Sequence, residues 1–337
     1  MMKKRCASDS GYEQMERMLL LSRRSLGTML TFGVAAACMP CGVWAQTQRQ
    51  TAKADPATTT APSTVTDCRG RRVALHGANR IASIGGTITE TLYALGRSDA
   101  ILAVDQTSTW PEQAQKEKKG LGYMRAISSE GVLSLRPDLV LAMNDAGPPA
   151  AMDQLVASGV PVVFVDATPS PEAIEKRTRF LASIVGAPAQ GEQLCNQIAD
   201  QFRQLVAWRA SHTWMPRVLF VMRMTNNRPM AAGQGTAADA MIRLAGGVNA
   251  GAGMQGYKIV DQENLIALQP DVILLMDQTA PSIRSNLQAD AGFRLTPAGR
   301  NNAFIAMEGE RLLGFGPRTP QAALDLARML VVAGHPG

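Results

Sequence analysis

The chain has 337 residues, 46% hydrophobic but only 5% aromatic, with 34 Lys/Arg against 28 Asp/Glu for a net charge of +6. That length exceeds what one core ordinarily holds and points to more than one domain. Six of the basic residues crowd the first 24 positions, and no later stretch combines a basic patch with interleaved aromatics, which excludes a nucleic-acid binder.

Lys3, Lys4, Arg5, Arg17, Arg23 and Arg24 precede an apolar run from Leu26 to Ala37, and Val43-Trp44-Ala45 places small residues at −3 and −1 before Gln46. Residues 1–45 therefore read as a signal peptide, and the mature protein is expected in the periplasm with a net charge of only +3. The ordinary secretory route is preferred, although Ser22-Arg-Arg-Ser-Leu26 resembles a twin-arginine signal. Cys38 follows three alanines but lacks the leucine at −3 of a lipoprotein box, and Met15 or Met18 offers an alternative start. Cleavage leaves two cysteines, Cys68 and Cys195; an oxidising compartment permits a bridge, and two separate thiols is the simpler reading.

Residues 46–66 are too poor in large apolar side chains to repay the entropy of ordering and read as a flexible linker. Then α/β alternation begins. Arg80–Ile84 is a predicted strand, Ile88–Leu95 a helix stopped by Gly96, and Ala100–Val104 a second strand. Leu139–Ala142 and Val162–Val165 are apolar on consecutive residues, as in strands buried on both faces of a parallel sheet, with Pro161 at a strand start where a missing N–H is tolerated. Pro171 to His212 has helical character throughout, interrupted only at Gly186-Ala-Pro188. Val218–Met222 opens a second α/β series that runs through Val272–Leu275 to a C-terminal helix at Ala322–Val332. The expected organisation is an N-terminal lobe at 67–169, a connecting helix region at 170–213 and a C-terminal lobe at 214–337. The fold class is α/β: two Rossmann-like lobes joined by a single long helix.

One block occurs twice. Gly122-Tyr123-Met124-Arg125 precedes Val132-Leu-Ser-Leu-Arg-Pro-Asp-Leu-Val-Leu-Ala-Met143, and Gly256-Tyr257 precedes Leu265-Ile-Ala-Leu-Gln-Pro-Asp-Val-Ile-Leu-Leu-Met276. A Gly-Tyr loop, a short helix and a buried strand used twice predict equivalent loops on either side of a cleft. The repeat also pairs Glu130 with Glu263, each seven residues before its proline and near the start of a short helix, where a carboxylate is favoured for local reasons alone.

Enzyme signatures are thin. Gly233-Gln-Gly235-Thr-Ala-Ala238 loosely matches a dinucleotide fingerprint but does not follow directly on its strand, and reads as a loop-to-helix turn. There is no Walker A lysine and no nucleophile elbow, and His76, His212 and His335 have no zinc spacing. Tyr93 falls beside the apolar face of Ile88, Leu92 and Leu95 and reads as core.

Ile84-Gly-Gly-Thr-Ile-Thr-Glu-Thr-Leu-Tyr-Ala-Leu-Gly96, Val104-Asp-Gln-Thr-Ser-Thr-Trp-Pro111, the Leu121–Asp138 segment and Leu313-Gly-Phe-Gly-Pro-Arg-Thr319 resemble the periplasmic haem-binding proteins of bacterial haem-uptake ABC transporters. The likeness runs from about residue 66 onward and lies within the siderophore- and cobalamin-type superfamily, the class III periplasmic binding proteins. It implies a non-enzymatic carrier that takes ferric haem as transported ligand and hands it to an inner-membrane ABC permease with its ATPase, working as a monomer. It further implies that Tyr123 is an axial ligand to the iron. Fe(III) is a hard acid and phenolate a hard anionic donor, and a free phenol titrates near pH ~10, so Arg125, on the same side of an extended loop, would favour the anion. Without the resemblance, the simpler reading is a tyrosine packed at a lobe edge beside a solvated arginine. From the second lobe, Arg223 is the candidate polar partner near the iron or its tyrosine, Tyr257 stands in the repeat position of Tyr123, and Lys258 is a propionate partner. Met222, Met224 and Met230 are candidates to line the porphyrin. In relatives of this class, glutamates equivalent to Glu130 and Glu263 dock onto permease arginines. Alternatives are a ferric-siderophore or cobalamin carrier and, from a different class, a periplasmic haem-dependent enzyme.

Overall fold

In the computed structural model of the chain, which describes residues 64–334, the end of the predicted linker is already ordered. Strand β1 (Thr64–Thr66) lies antiparallel to β2 (Arg72–Ala74), because the buried Asp67 carboxylate closes the intervening turn on the Arg69 and Arg71 amides and pairs with the Arg71 guanidinium at 2.7 Å. The expected leader, most of the linker and His335 lie outside the described residues.

The consecutive apolar runs become strands with no solvent-facing side. β3 (Ile81–Ile84) sits at the centre of a five-stranded sheet. On one side of it lie β4 (Ile101–Val104) and then β5 (Lys119–Gly120), on the other β6 (Leu139–Met143) and then β7 (Val162–Val165), with every pairing parallel. Leu139, Val140, Leu141 and Ala142 are wholly buried, as a sheet covered on both faces requires. Helix α1 (Gly86–Ala94) follows β3 and stops where Gly96 takes φ 70°, with the Gly96 amide on the Tyr93 carbonyl and the Arg97 amide on Leu92, a left-handed cap that a Cβ would strain. The short helices α2 (Glu112–Glu117) and α3 (Ser129–Ser134), then α4 (Pro149–Ala157), complete the covering of this lobe.

Two packed helices lead out of it. α5 (Pro171–Ile184) ends at Gly186, and α6 (Pro188–Ala210) then runs 23 residues, a length of about 34 Å at ~1.5 Å per residue. Its buried positions Gly191, Cys195, Ile198, Phe202 and Leu205 recur every three or four residues. Leu194 packs against the cores of both lobes, whereas Ile198, Phe202 and Leu205 belong to the second. At Gly191 an added Cβ would stand 2.4 Å from the Ala182 Cβ, so α5 and α6 touch backbone to side chain. Cys195 is buried in this helix and Cys68 is exposed; both are free thiols.

The second sheet is mixed. β8 (Arg217–Thr225) turns at Asn226-Asn227, φ 49° and 59°, into β9 (Arg228–Ala232), an antiparallel hairpin that the sequence reading passed over. Two adjacent residues at positive φ are what a tight hairpin turn demands, and asparagine tolerates it. Gly233–Thr236 is a loop-to-helix turn, with the Thr236 hydroxyl capping α7 (Ala237–Leu244). β10 (Val248–Asn249) adds to β8, and β11 (Tyr257–Ile259) adds antiparallel to β9. After α8 (Gln262–Leu268), strand β12 (Val272–Met276) lies parallel to β8. α9 (Ala280–Ala289) and α10 (Pro297–Arg300) lead to β13 (Phe304–Met307), parallel to β12. α11 (Gly309–Leu313) and α12 (Thr319–Gly334) finish the lobe.

The sequence repeat is also a repeat of contacts. Asp138 accepts the Asn79 and Arg80 amides, and Asp271 accepts the Arg217 amide. Arg80 in turn donates to the carbonyls of Leu135 and Arg136, and Arg217 to that of Leu268. Each Pro-Asp pair thus staples the end of a short helix to the start of the strand beside it, and the residues before the prolines, Arg136 and Gln269, both take positive φ.

Candidate ligand site between the lobes

In parallel α/β sheets the loops beyond the carboxyl ends of the strands are where ligands bind, and here such loops of the two sheets meet, with Thr109, after β4, bonded to Glu308, after β13. Tyr123 stands on the loop after β5. Gly122 takes φ 81° there, and Leu121 and Gly122 tie the loop to Val104 and Gln106 by backbone bonds of 2.9 and 2.8 Å. Alternation then points Met124 inward, where it is buried, and leaves Tyr123 43% exposed. Arg125 falls on the tyrosine's side: its Nη1 donates to the Tyr123 hydroxyl at 2.9 Å, and its Nη2 is held by the Asp145 carboxylate. Partial burial works against the guanidinium's charge, but the Tyr123 hydroxyl and Asp145 outweigh it and hold the Arg125 pKa above its ordinary value. The sequence reading missed Asp145. Its signal was position: a polar pair, Asn144-Asp145, directly after the apolar run of β6.

Tyr257 follows a glycine at positive φ, as Tyr123 does, yet its surroundings differ. It opens a strand opposite Ala232, packs edge-on against Phe220 with ring centroids 6.5 Å apart, and is half-buried. Burial pushes its phenol up, while the Arg125 charge and the Thr236 hydroxyl pull it back, so Arg125 is felt across the cleft by the second lobe's tyrosine.

Strand register sorts the remaining candidates. Arg223 and Ile259 both lie opposite Met230, and Tyr257 shares their face two residues from Ile259. A bulge between Val221 and Arg223 puts Met222 on that face too, packed against the same core as Tyr257. Arg223 is exposed, with no hydrogen bond or ion pair to another described residue. Lys258, next to Tyr257 on the strand, stands on the opposite face by alternation, away from Tyr257 and Arg223. Met224 likewise packs against the cluster on the other side of the sheet. Glu130 and Glu263 are both exposed in the first turns of α3 and α8, each two residues after a capping side chain, Ser128 and Asp261.

Residues 81–310 match the family model described as periplasmic binding protein. The chain belongs to that family. Among solved structures it is similar to the periplasmic haem-binding protein RhuT from Roseiflexus sp. RS-1 in apo form, at 38% identity and a TM-score of 0.73, over 77% of this chain and 100% of that one. The same values hold for the periplasmic haem-binding protein BhuT in complex with two haems. Among curated proteins, the vitamin B12-binding protein of Yersinia pestis (strain Pestoides F) is 29% identical over 200 residues, 59% of this chain and 69% of the relative. The architecture is that of the two-lobed class III periplasmic binding proteins, a family of substrate-binding transport proteins.

A periplasmic binding protein of this class needs a joint between its lobes; here Thr87, Glu90, Thr109, Gly314, Phe315 and Arg318 of the segments that carry the resemblance make it together with Arg177, Glu308 and Glu310, which lie outside them. Glu90 on α1 accepts the Arg318 backbone amide and Nε at 2.8 and 2.9 Å. The Thr109 hydroxyl reaches Glu308 at 2.7 Å, Thr87 meets both Glu310 and the Gly314 carbonyl, and the buried Arg177 donates to the Phe315 carbonyl at 2.6 Å. Arg318 lies over the ring of the half-exposed Trp110, 4.7 Å from its centroid. Burial pushes the Glu90 carboxyl up, and the Arg318 charge opposes that. Tyr93, expected in the core, packs against it with its hydroxyl buried and without a hydrogen-bond partner.

Proposed function

We propose that the chain is a periplasmic substrate-binding protein that takes ferric haem in the cleft between its lobes and delivers it to an inner-membrane ABC permease. The observation that carries this reading is the Arg125 Nη1 bond to the Tyr123 hydroxyl, on a tyrosine left exposed at the cleft. Fe(III) binds an oxygen anion best, and a guanidinium that already donates to that oxygen stabilises the anion when iron replaces its proton. Asp145 fixes the guanidinium so that little is reorganised on binding. On the opposite lobe, Arg223 is a free cation for a haem propionate or for the iron-bound oxygen, Met222 and Met230 supply a polarisable wall, and Tyr257 closes the cleft beside Arg125. The haem-binding names of relatives that the chain covers in full support the same ligand. The protein acts by binding and transfer alone, without turnover. Export by residues 1–45 would place it where those relatives are named.

The curated vitamin B12-binding relatives favour cobalamin as a second reading. Titration of the mature protein with haemin, followed by absorbance, separates the two. A shifted, saturable Soret band with no competition from cyanocobalamin is the expected result, and competition by cobalamin with no Soret change would overturn the haem reading.

Delivery is assigned to Glu130 and Glu263. Matched in the repeat, exposed and one to each lobe, they suit docking onto permease arginines, and a permease that holds both would sense the separation of the lobes. The double substitution Glu130→Ala with Glu263→Ala should leave folding and haem affinity within about twofold of wild type, because exposed carboxylates contribute little to stability. It should lower binding-protein-stimulated ATP hydrolysis by the reconstituted transporter about tenfold or more, with charge reversal worse. Uptake at the wild-type rate at sub-saturating protein would remove both residues from the docking surface.

A further inference from the structure

The joint between the lobes holds a titratable group that ligand binding does not use. Glu310 lies in the first turn of α11, at the carboxyl end of the second sheet, and reaches across to Thr87 in the first turn of α1 with its Oε1 3.1 Å from the Thr87 Oγ. Part of the residue meets the surface, but its carboxyl is wedged between two glycines. A Cβ on Gly86 would come within 2.6 Å of the Glu310 Cδ, and one on Gly314 within 2.3 Å of its Oε1. Both glycines are needed to admit the carboxyl.

The Thr87 hydroxyl lies between two acceptors, the Glu310 Oε1 and the Gly314 carbonyl. It has one hydrogen, and the Gly314 carbonyl can only accept. An ionised Glu310 must share that one hydrogen with Gly314, whereas a protonated Glu310 brings its own and leaves the Thr87 hydrogen to Gly314. The charges nearby favour the protonated form. Glu90 on α1, Asp105 on the loop after β4 and Glu308 at the start of α11 all face Glu310 with like charge. Against these three stand Arg177 on α5, whose guanidinium feels Glu310 but is spent on the Asp166 and Phe315 carbonyls, and Arg318, which is spent on Glu90. Arg311, on the same helix, is turned away to Asp325 of α12.

We propose that Glu310 is a proton-operated latch between the lobes: protonated, it completes the chain Glu310 to Thr87 to Gly314 that ties α1 to α11, and ionised, it repels Glu90, Asp105 and Glu308 and frees the joint. Burial first, and then the Glu90 charge, push its carboxyl up to about 8, so the change falls in mildly alkaline solution. A carboxyl raised in the folded state binds more protons there than in the unfolded chain. Stability is therefore lost as pH rises from the ordinary carboxylate range toward about 8. The latch does not depend on which ligand the cleft takes.

The test uses the ligand-free mature chain with Cys68→Ser and one spin label on each lobe, at Asp153→Cys on α4 and Ser285→Cys on α9, both exposed positions. Pulsed distance measurements between about pH 6 and pH 9 should show the interlobe distribution lengthening and broadening. Glu310→Gln, neutral and of the same shape with an N–H to offer Thr87, should keep the narrow acid-side distribution at both pH values. Chemical unfolding over the same range should likewise show a shallower fall in stability for Glu310→Gln than for wild type. A wild-type distribution that does not change with pH overturns the latch even if the variant fails to fold, as does a variant that opens as wild type does.

Discussion

Tyr123→Phe should bind haemin at least about 100-fold more weakly than the wild-type chain and should lose the tyrosinate-to-iron charge-transfer absorption, because the phenolate is the iron ligand proposed from this lobe. The substitution removes one oxygen, bonded to the exposed Arg125, from a side chain that is 43% exposed, so the fold should be unaffected. Two controls make the result specific. Tyr93→Phe removes a buried hydroxyl that has no hydrogen-bond partner, and should leave the spectrum unchanged and stability equal or slightly higher. Arg125→Ala should weaken haemin less, by roughly fivefold, since a charge-assisted hydrogen bond at a half-exposed site contributes only about 1 kcal/mol. An unaltered spectrum in Tyr123→Phe would take the iron away from this residue, and the cleft's second tyrosine, Tyr257, would become the ligand to test.

The unequal treatment of the two tyrosines shows what a sequence can carry. Tyr123 and Arg125 are two apart on an extended loop, and alternation alone puts them on one side, where the structure has them in contact. The repeat was legible because its helices, prolines and strands recur in fixed order, and Asp138 and Asp271 hold equivalent amides. It misled at Tyr257, where a glycine at positive φ sets up a similar turn, but the hairpin at Asn226-Asn227 supplies an edge strand for Tyr257 to join. The first lobe has no such strand, so its tyrosine stays in a loop. The same pleat sets Lys258 apart from its neighbour, which a reading by proximity in sequence could not see. The joint was illegible for a different reason. Thr87 and Glu310 are 223 residues apart and Glu90 and Arg318 are 228 apart, and neither pair lies on a periodic face or in a spaced motif that would tie one to the other. Only the packing of the two sheets brings them together.

Arg318→Ala should lower the stability of the mature chain by about 3 kcal/mol, the scale on which removing one partner of a buried ion pair leaves the other uncompensated. Glu90 is 5% exposed, and Arg318 is its cationic partner at 2.9 Å, with the Arg318 backbone amide on the second oxygen. Truncation keeps that amide but removes the charge and the guanidinium over Trp110. Burial already pushes the Glu90 carboxyl up, and without the arginine it rises further. The variant should therefore be hurt more in alkaline than in acid solution, since a carboxyl raised in the folded state loses stability as pH climbs toward its folded value. Adding Glu90→Gln should restore much of the loss at neutral pH by removing the stranded charge, so the two substitutions should couple strongly in a double-mutant cycle. Equilibrium unfolding in denaturant at fixed pH gives all three values. If Arg318→Ala changes stability by less than about 0.5 kcal/mol, or if the two substitutions simply add, then the pair does not hold the lobes together, and the bonds from Thr87, Thr109 and Arg177 must bear the joint without it.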